Sequence, residues 1–186
     1  MKRFFDLTLS IFLLILLFLP IVVISIFVAA SSKGPILHWS NRIGRLGVNF
    51  SMPKFRTMYL DSPSVETNLL NDPDKYITPM GSILRQTSLD ELPQLWSIVK
   101  GDMSFVGPRP ALFNQYELIN LRKKKNIDTL VPGLTGWAQI NGRDRITNDQ
   151  KIVLDEFYLS HRSLRFDFYI LWLTFIKVLR REGISH

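Results

Sequence analysis

Apolar side chains crowd the two ends of the chain and thin out between them. Leu7 to Ala30 is apolar except at Thr8, Ser10, Pro20 and Ser25. A straight helix of that length would cross a hydrocarbon core of about 30 Å. It is too long for a cleaved signal peptide, although Lys2 and Arg3 precede it and Val28-Ala29-Ala30-Ser31 resembles a cleavage site. Lys2 and Arg3 lie on one flank, and Lys33, Arg42, Arg45, Lys54 and Arg56 follow on the other, with no acidic residue between Asp6 and Asp61. Both flanks therefore favour the cytoplasmic side. Pro20, near the middle of the run, removes a helix hydrogen bond and kinks the axis. The pattern predicts a membrane helix that enters, bends at Pro20 and returns.

Beyond Gly34-Pro35 the pattern turns extended. Ile36-Leu37-His38-Trp39, the glycines at 44 and 47, and Val48-Asn49-Phe50 predict a β-hairpin, ended by Lys54-Phe55-Arg56-Thr57. Residues 61–79 read as a surface loop, with one helical turn near Glu66 to Leu70. Met80 to Gln86 is a short helix carrying Arg85. Leu92, Leu95, Trp96 and Val99 then recur at spacings of three and four, the stripe of an amphipathic helix. Pro110 suits the first position of a further helix to about Lys125, ending in Arg122-Lys123-Lys124-Lys125 as a solvated, dipole-complementing end.

Asp149 to His161 predicts a helix with Val153, Phe157 and Tyr158 on one side and Asp155 and Glu156 available for charge pairing. Phe166 to Leu179 is strongly apolar but too short to span a bilayer. Its aromatic residues and basic end suit a helix lying in the membrane interface, with a buried core helix as the alternative. The elements together predict an α+β chain, mostly α. Residues 1–33 would form a re-entrant membrane helix broken at Pro20. Residues 34–186 would form a small cytosolic domain at the membrane interface, with a short β-hairpin and amphipathic helices.

Composition narrows the chemistry. The 186 residues suit one modest domain, or a small domain with a membrane segment. Cysteine is absent, which excludes disulfides and thiolate metal sites. His38, His161 and His186 show no metal-ligand spacing. A net charge of +7 calls for nucleic acid, anionic lipid or a phosphorylated substrate. Nucleic acid is the poorest of these and is not expected as a partner, because a chain embedded in a bilayer with no aromatic–basic repeat offers no groove reader.

The candidate chemistry lies in Ser88 to Pro110, SLDELPQLWSIVKGDMSFVGPRP. It opens with the adjacent carboxylates Asp90 and Glu91 and closes with Gly107-Pro108-Arg109-Pro110, a stiff turn holding out one arginine. An acid pair and a fixed guanidinium suit a phosphorylated substrate. A capping box, Ser88 bonding the amide of Glu91 and Glu91 reaching back, accounts for the same residues as helix ends do everywhere. By themselves these residues favour the cap. Pro132 to Asp144, with glycines at 133, 136 and 142, is a second informative stretch. Its amides could cradle phosphate, Arg143 adds a second loop arginine, and Trp137 could stack on a base or plug the core.

The ordered set resembles a known family. Lys-Arg-Phe-Phe-Asp before a proline-broken apolar run, Lys54-Phe55-Arg56-Thr57-Met58, Ser88–Pro110 and Pro132–Arg143 are similar to the bacterial sugar transferases, monotopic polyprenol-phosphate phosphoglycosyl transferases in minimal catalytic form. The resemblance covers nearly the whole chain and overturns capping as the sole role of the acid pair. It implies transfer of a sugar phosphate from a UDP-sugar, N-acetylated by expectation, to undecaprenyl phosphate. The nucleoside monophosphate would leave, and the lipid-diphosphate sugar would feed surface-glycan synthesis. It implies Asp90 as the nucleophile of a covalent aspartyl-phosphosugar intermediate, Glu91 in magnesium and acid–base work, and both as ligands of Mg2+. Lys54, Arg85, Arg109, Arg143 and Asp155 fall on the family's substrate- and phosphate-binding positions. The implied location is the cytoplasmic face of the bacterial inner membrane, in contact with phospholipid. A helix N-terminus at Asp90 would keep the carboxylate ionised through the dipole. A membrane-bound basic scaffold and a lipid-diphosphate phosphatase are the competing readings. The sugar and the oligomeric state are left open.

Overall fold

The computed structural model describes residues 1–63, 72, 75–142 and 146–180. The expected helical turn at 66–70 and Arg143 lie outside the described residues.

The apolar N-terminal run folds as two helices, α1 (Lys2–Leu16) and α2 (Phe18–Ser31), bent by 63°. The break falls at Leu17 rather than at Pro20, which sits in the first turn of α2. A proline disturbs the turn before it, because it cannot bond the carbonyl four residues back and its ring crowds that carbonyl. Among the described residues no single helix is long and apolar enough to cross a membrane, whereas this bent pair passes by length and composition. Much of its surface is open: Phe4, Phe12, Ile15, Leu16, Phe18 and Leu19 are all well exposed.

Two strands follow, β1 (Leu37–Ile43) and β2 (Asn49–Phe55), antiparallel with Leu37 opposite Phe55 and Ile43 opposite Asn49. The turn between them carries Leu46 and Gly47 at positive φ. Helix α3 (Pro79–Thr87) is capped by Thr78, whose hydroxyl accepts from the Gly81 amide. Proline at its first position costs no helix bond. A Cβ on Gly81 would stand 2.1 Å from the Thr57 carbonyl oxygen, so the close seat of α3 on that backbone requires glycine.

The central stretch departs from expectation. Leu89–Gln94 is a 3-10 turn, and α4 proper is only Leu95–Lys100. Ser88 takes a left-handed conformation (φ 56°) and makes no side-chain cap. A capping residue needs extended φ/ψ to turn its hydroxyl onto the following amides, so the capping box does not form. Leu95 and Ile98 face the core, while Trp96 is 51 % exposed instead of lying on a buried stripe.

Strand β3 (Ser104–Val106) pairs in parallel with β4 (Gly133–Thr135). Helix α5 spans Tyr116–Lys124, not Pro110 onward. Its upstream segment is held otherwise: the Leu112 amide donates to Gln115 Oε1 at 2.7 Å, and Leu112 bridges to Arg42. After the short α6 (Trp137–Ile140) come α7 (Asn148–His161) and α8 (Leu164–Leu179). Helix α7 opens with a capping box between Thr147 and Gln150. It buries Ile152, Asp155 and Tyr158, whereas Val153 and Phe157 are exposed. Helix α8 buries Ile170 and Asp167 and exposes Phe168, Tyr169, Trp172 and Phe175. The result is a mostly helical α+β domain with a short antiparallel hairpin.

The N-terminal helices are built into this domain. Ile24 and Val28 of α2 share a buried cluster with Phe55 of β2 and Leu84 of α3. The Arg3 guanidinium donates to the Ile98 and Val99 carbonyls near the end of α4. Asp6 accepts from the Ser104 hydroxyl at 2.8 Å and the Phe105 amide at 3.3 Å. Lys2 pairs with Asp167 at 2.6 Å, and the Tyr158 hydroxyl donates to the same carboxylate at 2.7 Å.

Candidate active site

Strand β2 and its extension deliver four side chains in succession. Lys54 reaches Glu91 Oε1 at 2.8 Å and Asp90 Oδ2 at 3.8 Å. Phe55, on the opposite face as strand alternation requires, is buried beside α2 and α3. Arg56 turns back to the exit of α2, donating to the Pro35 carbonyl and, at 2.6 Å, to the Ser32 carbonyl. The Thr57 hydroxyl accepts from Arg85 Nε at 3.0 Å. The two cations thus diverge, Lys54 to the acid pair and Arg56 to the segment that follows α2.

Asp90 is only 8 % exposed. Burial pushes its carboxyl above the ordinary carboxylate range and Glu91 pushes the same way, while Lys54, Arg85 and Arg109 pull it back. A unit charge about 4 Å away acts with about 4 kcal/mol at an effective dielectric constant of 20, comparable with the several kcal/mol lost on burial. Burial wins. The helix N-terminus expected at Asp90 is replaced by a 3-10 turn, with Ser88 folded left-handed before it. Three cations, rather than a helix end, oppose the burial.

Arg109 Nη2 lies 3.5 Å from Glu91 Oε1. Its turn is locked to β4: the Gly107 amide donates to the Thr135 carbonyl and the Gly133 amide to the Pro108 carbonyl, both at 2.9 Å. A Cβ on Gly133 would meet the Gly107 nitrogen at 2.1 Å, and one on Gly136 the Gly107 oxygen at 2.1 Å. These two glycines let the loop lie against the Gly-Pro-Arg-Pro backbone. Trp137 packs against Phe157, Phe166 and Tyr169, the core role of the two expected for it.

Lys54, Arg85, Arg109, Asp90 and Glu91 therefore converge. Asp155 is bound elsewhere: it is 1 % exposed and accepts from Arg122 Nε and Nη2 at 3.1 and 2.8 Å. Burial pushes its carboxyl upward and Arg122 opposes the shift. Sequence reading missed Thr57 and Arg122. A lone threonine carries no signal, and an arginine heading a basic run looks solvated.

Among the described residues no group of three or more His, Asp or Glu side chains forms a metal cage. Two adjacent carboxylates still fit Mg2+, which takes one or two protein carboxylates and completes its shell with other oxygen ligands. The Lys54 ammonium stands within 4 Å of both carboxylates, so the pair is arranged to hold a cation.

Comparison with known proteins gives the family. The sequence profile of the family described as bacterial sugar transferase matches residues 1–181. EpsL of Bacillus subtilis, an uncharacterized sugar transferase, is 41 % identical over 185 residues, covering 100 % of this chain and 90 % of that protein. The undecaprenyl-phosphate galactose phosphotransferase of Salmonella typhimurium is 37 % identical over 201 residues, 98 % of this chain and 41 % of that protein. The undecaprenyl-phosphate glucose phosphotransferase of Komagataeibacter xylinus is 35 % identical over 195 residues, 99 % of this chain and 36 % of that protein. The chain thus spans less than half the length of the last two.

Proposed function

The chain belongs to the bacterial sugar transferase family, and we propose that it moves a sugar phosphate from a UDP-sugar to undecaprenyl phosphate. The observation that carries this reading is the convergence of Lys54 and Arg109 on Asp90-Glu91, with Arg85 felt electrostatically at Asp90. The undecaprenyl-phosphate activities for which the Salmonella and Komagataeibacter relatives are named support the lipid phosphate as acceptor.

The ionised Asp90 oxygen attacks the phosphorus that bears the sugar. The bridging P–O bond of the diphosphate breaks, UMP leaves, and an aspartyl-phosphosugar remains. An oxygen of the lipid phosphate then attacks the same phosphorus, breaks its bond to Asp90 and frees the carboxylate. Splitting the transfer lets one pocket serve two bulky anions in turn. Arg85, Arg109 and Lys54 oppose repulsion between carboxylate and diphosphate and stabilise charge on the departing phosphate. Arg143, outside the described residues, is assigned a phosphate contact from the family motif alone. Glu91, bonded to Lys54, fixes that ammonium beside the attacking group. Asp90 and Glu91 would hold Mg2+, which supplies further charge neutralisation on the diphosphate.

The lipid acceptor explains the apolar surface. Residues 1–33 enter and leave the cytoplasmic face of the bacterial inner membrane as a re-entrant hairpin, and α8 lies in the interface with its exposed aromatic face toward phospholipid. Residues 34–186 form the catalytic part. The product is a lipid-diphosphate sugar for surface-glycan synthesis.

A panel of UDP-sugars, N-acetylated and plain, tests the reading by scoring UMP release and label in the lipid fraction. UMP with lipid-borne sugar from one or more donors is expected. Inorganic phosphate without UMP would instead mark a lipid-diphosphate phosphatase, and no turnover with the complete panel would leave only a scaffold.

A further inference from the structure

We propose that Arg122, braced by Asp155, is a positioning residue that fixes Arg109 for the transfer; the inference rests on the function proposed above. Arg122 stands on α5 with its side chain 11 % exposed and grips two elements at once. Nε and Nη2 take the Asp155 carboxylate of α7. Nη1 donates to the backbone carbonyl of Arg109 at 2.7 Å. The Arg109 side chain in turn sits 3.5 Å from Glu91. The path from α7 to the acid pair is therefore continuous.

The backbone of the turn explains why one carbonyl matters. Prolines on both sides fix φ at 108 and 110, and a residue before proline is confined to extended ψ. Few soft torsions remain. Three successive carbonyls of the turn are each held from outside: Pro108 by the Gly133 amide, Arg109 by Arg122, and Pro110 by Arg42 Nη1 at 3.2 Å. Only the middle one belongs to the residue that faces Glu91.

Asp155 is needed because Arg122 is not enclosed on all sides. A cavity of about 220 Å³ opens beside it, lined also by Ile43, Leu46, Pro108 and Lys123. A guanidinium at such a wall keeps rotamer freedom unless a second partner removes it. A buried carboxylate supplies that partner, and its pairing with arginine is what makes its own burial tolerable. Asp155 then acts on the substrate through Arg122 and Arg109, and not as a phosphate contact.

A double-mutant cycle tests this. Arg122→Lys keeps the charge beside Asp155 but cannot hold both partners. In the otherwise native enzyme it is expected to lower kcat/KM for sugar-phosphate transfer by about ten- to a hundredfold, the range a misplacement of about 1 Å produces. In an Arg109→Ala background the same change should cost less than about twofold, because the group it aligns is gone. An equal loss in both backgrounds, or full activity of Arg122→Lys, overturns the proposal. If Arg122→Lys does not fold, Asp155→Asn, nearly isosteric, goes through the same cycle. Hydrogen exchange gives a readout that needs no turnover. Faster exchange at the Gly107 and Gly133 amides, with α8 unchanged, is expected, and unchanged exchange at both overturns the proposal. An inactive wild type would sink the assigned reaction alone.

Discussion

The Lys54 ammonium lies 2.8 Å from the Glu91 carboxylate, joining positions 37 residues apart in sequence. The same ammonium is the strongest pull holding down the pKa of Asp90. Burial nevertheless leaves the Asp90 value above the ordinary 3.8. In the interval above 3.8 the folded protein therefore binds protons that the unfolded chain has released, so stability falls as pH rises through it. On the proposed mechanism activity runs the other way, because it is the ionised carboxylate that attacks. The acid limb of kcat/KM should stand above 3.8. Lys54→Met should move it higher still, which a pH profile from about 4 to about 8 will show. A limb that stays in place would remove Lys54 from the electrostatics of Asp90.

Asp90→Asn should abolish transfer, by on the order of a thousandfold or more, since an amide cannot carry the phosphosugar. Folding should be retained. The substitution removes a buried charge of raised pKa, and Glu91 remains to pair with Lys54. UMP release together with thermal unfolding checks both halves. Substantial transfer by a folded Asn variant would exclude Asp90 as nucleophile.

Gly133→Ala should destabilise the protein by about 2–4 kcal/mol, because its methyl would collide with the backbone nitrogen of Gly107, which cannot yield as a side chain tip does. Denaturant unfolding measures the loss. Transfer should fall as well, since the collision displaces the turn bearing Arg109.

Pro20→Leu should restore the missing bond to the Leu16 carbonyl and tend to straighten the 63° bend between α1 and α2. Single cysteines introduced into this cysteine-free chain test the proposed re-entrant topology by labelling from each side of the membrane. Part of the population should then expose the residues after Ser32 on the far side. Unchanged labelling would show that packing of Ile24 and Val28 against Phe55 and Leu84 sets the bend.

Local patterns carried much of the fold. The apolar run, the hairpin, α3, α7 and α8 follow from periodicity and punctuation, and Asp90-Glu91 with Arg109 was visible as an acid pair ending in a rigid turn. Long-range pairing was not visible. Three-residue strands such as β3 and β4 leave no alternation to read, and their partnership depends on glycine contacts across the fold. Arg122 meets Asp155 across 33 positions, and nothing in a basic run marks which cation will be buried. Ser88 read as a cap because its neighbours fit the motif, but its backbone had already been turned left-handed by the end of α3.

The grip of Lys2, Arg3 and Asp6 on α8, α4 and β3 bears on how the protein can be handled. Trimming the first 33 residues to obtain a detergent-free enzyme would strip Ile24 and Val28 from a packed cluster and leave Arg56 without the Ser32 carbonyl. Such a fragment should come out of expression hosts as inclusion bodies, even though its amino acids are the more polar ones. Purification strategies have to carry the apolar helix pair along.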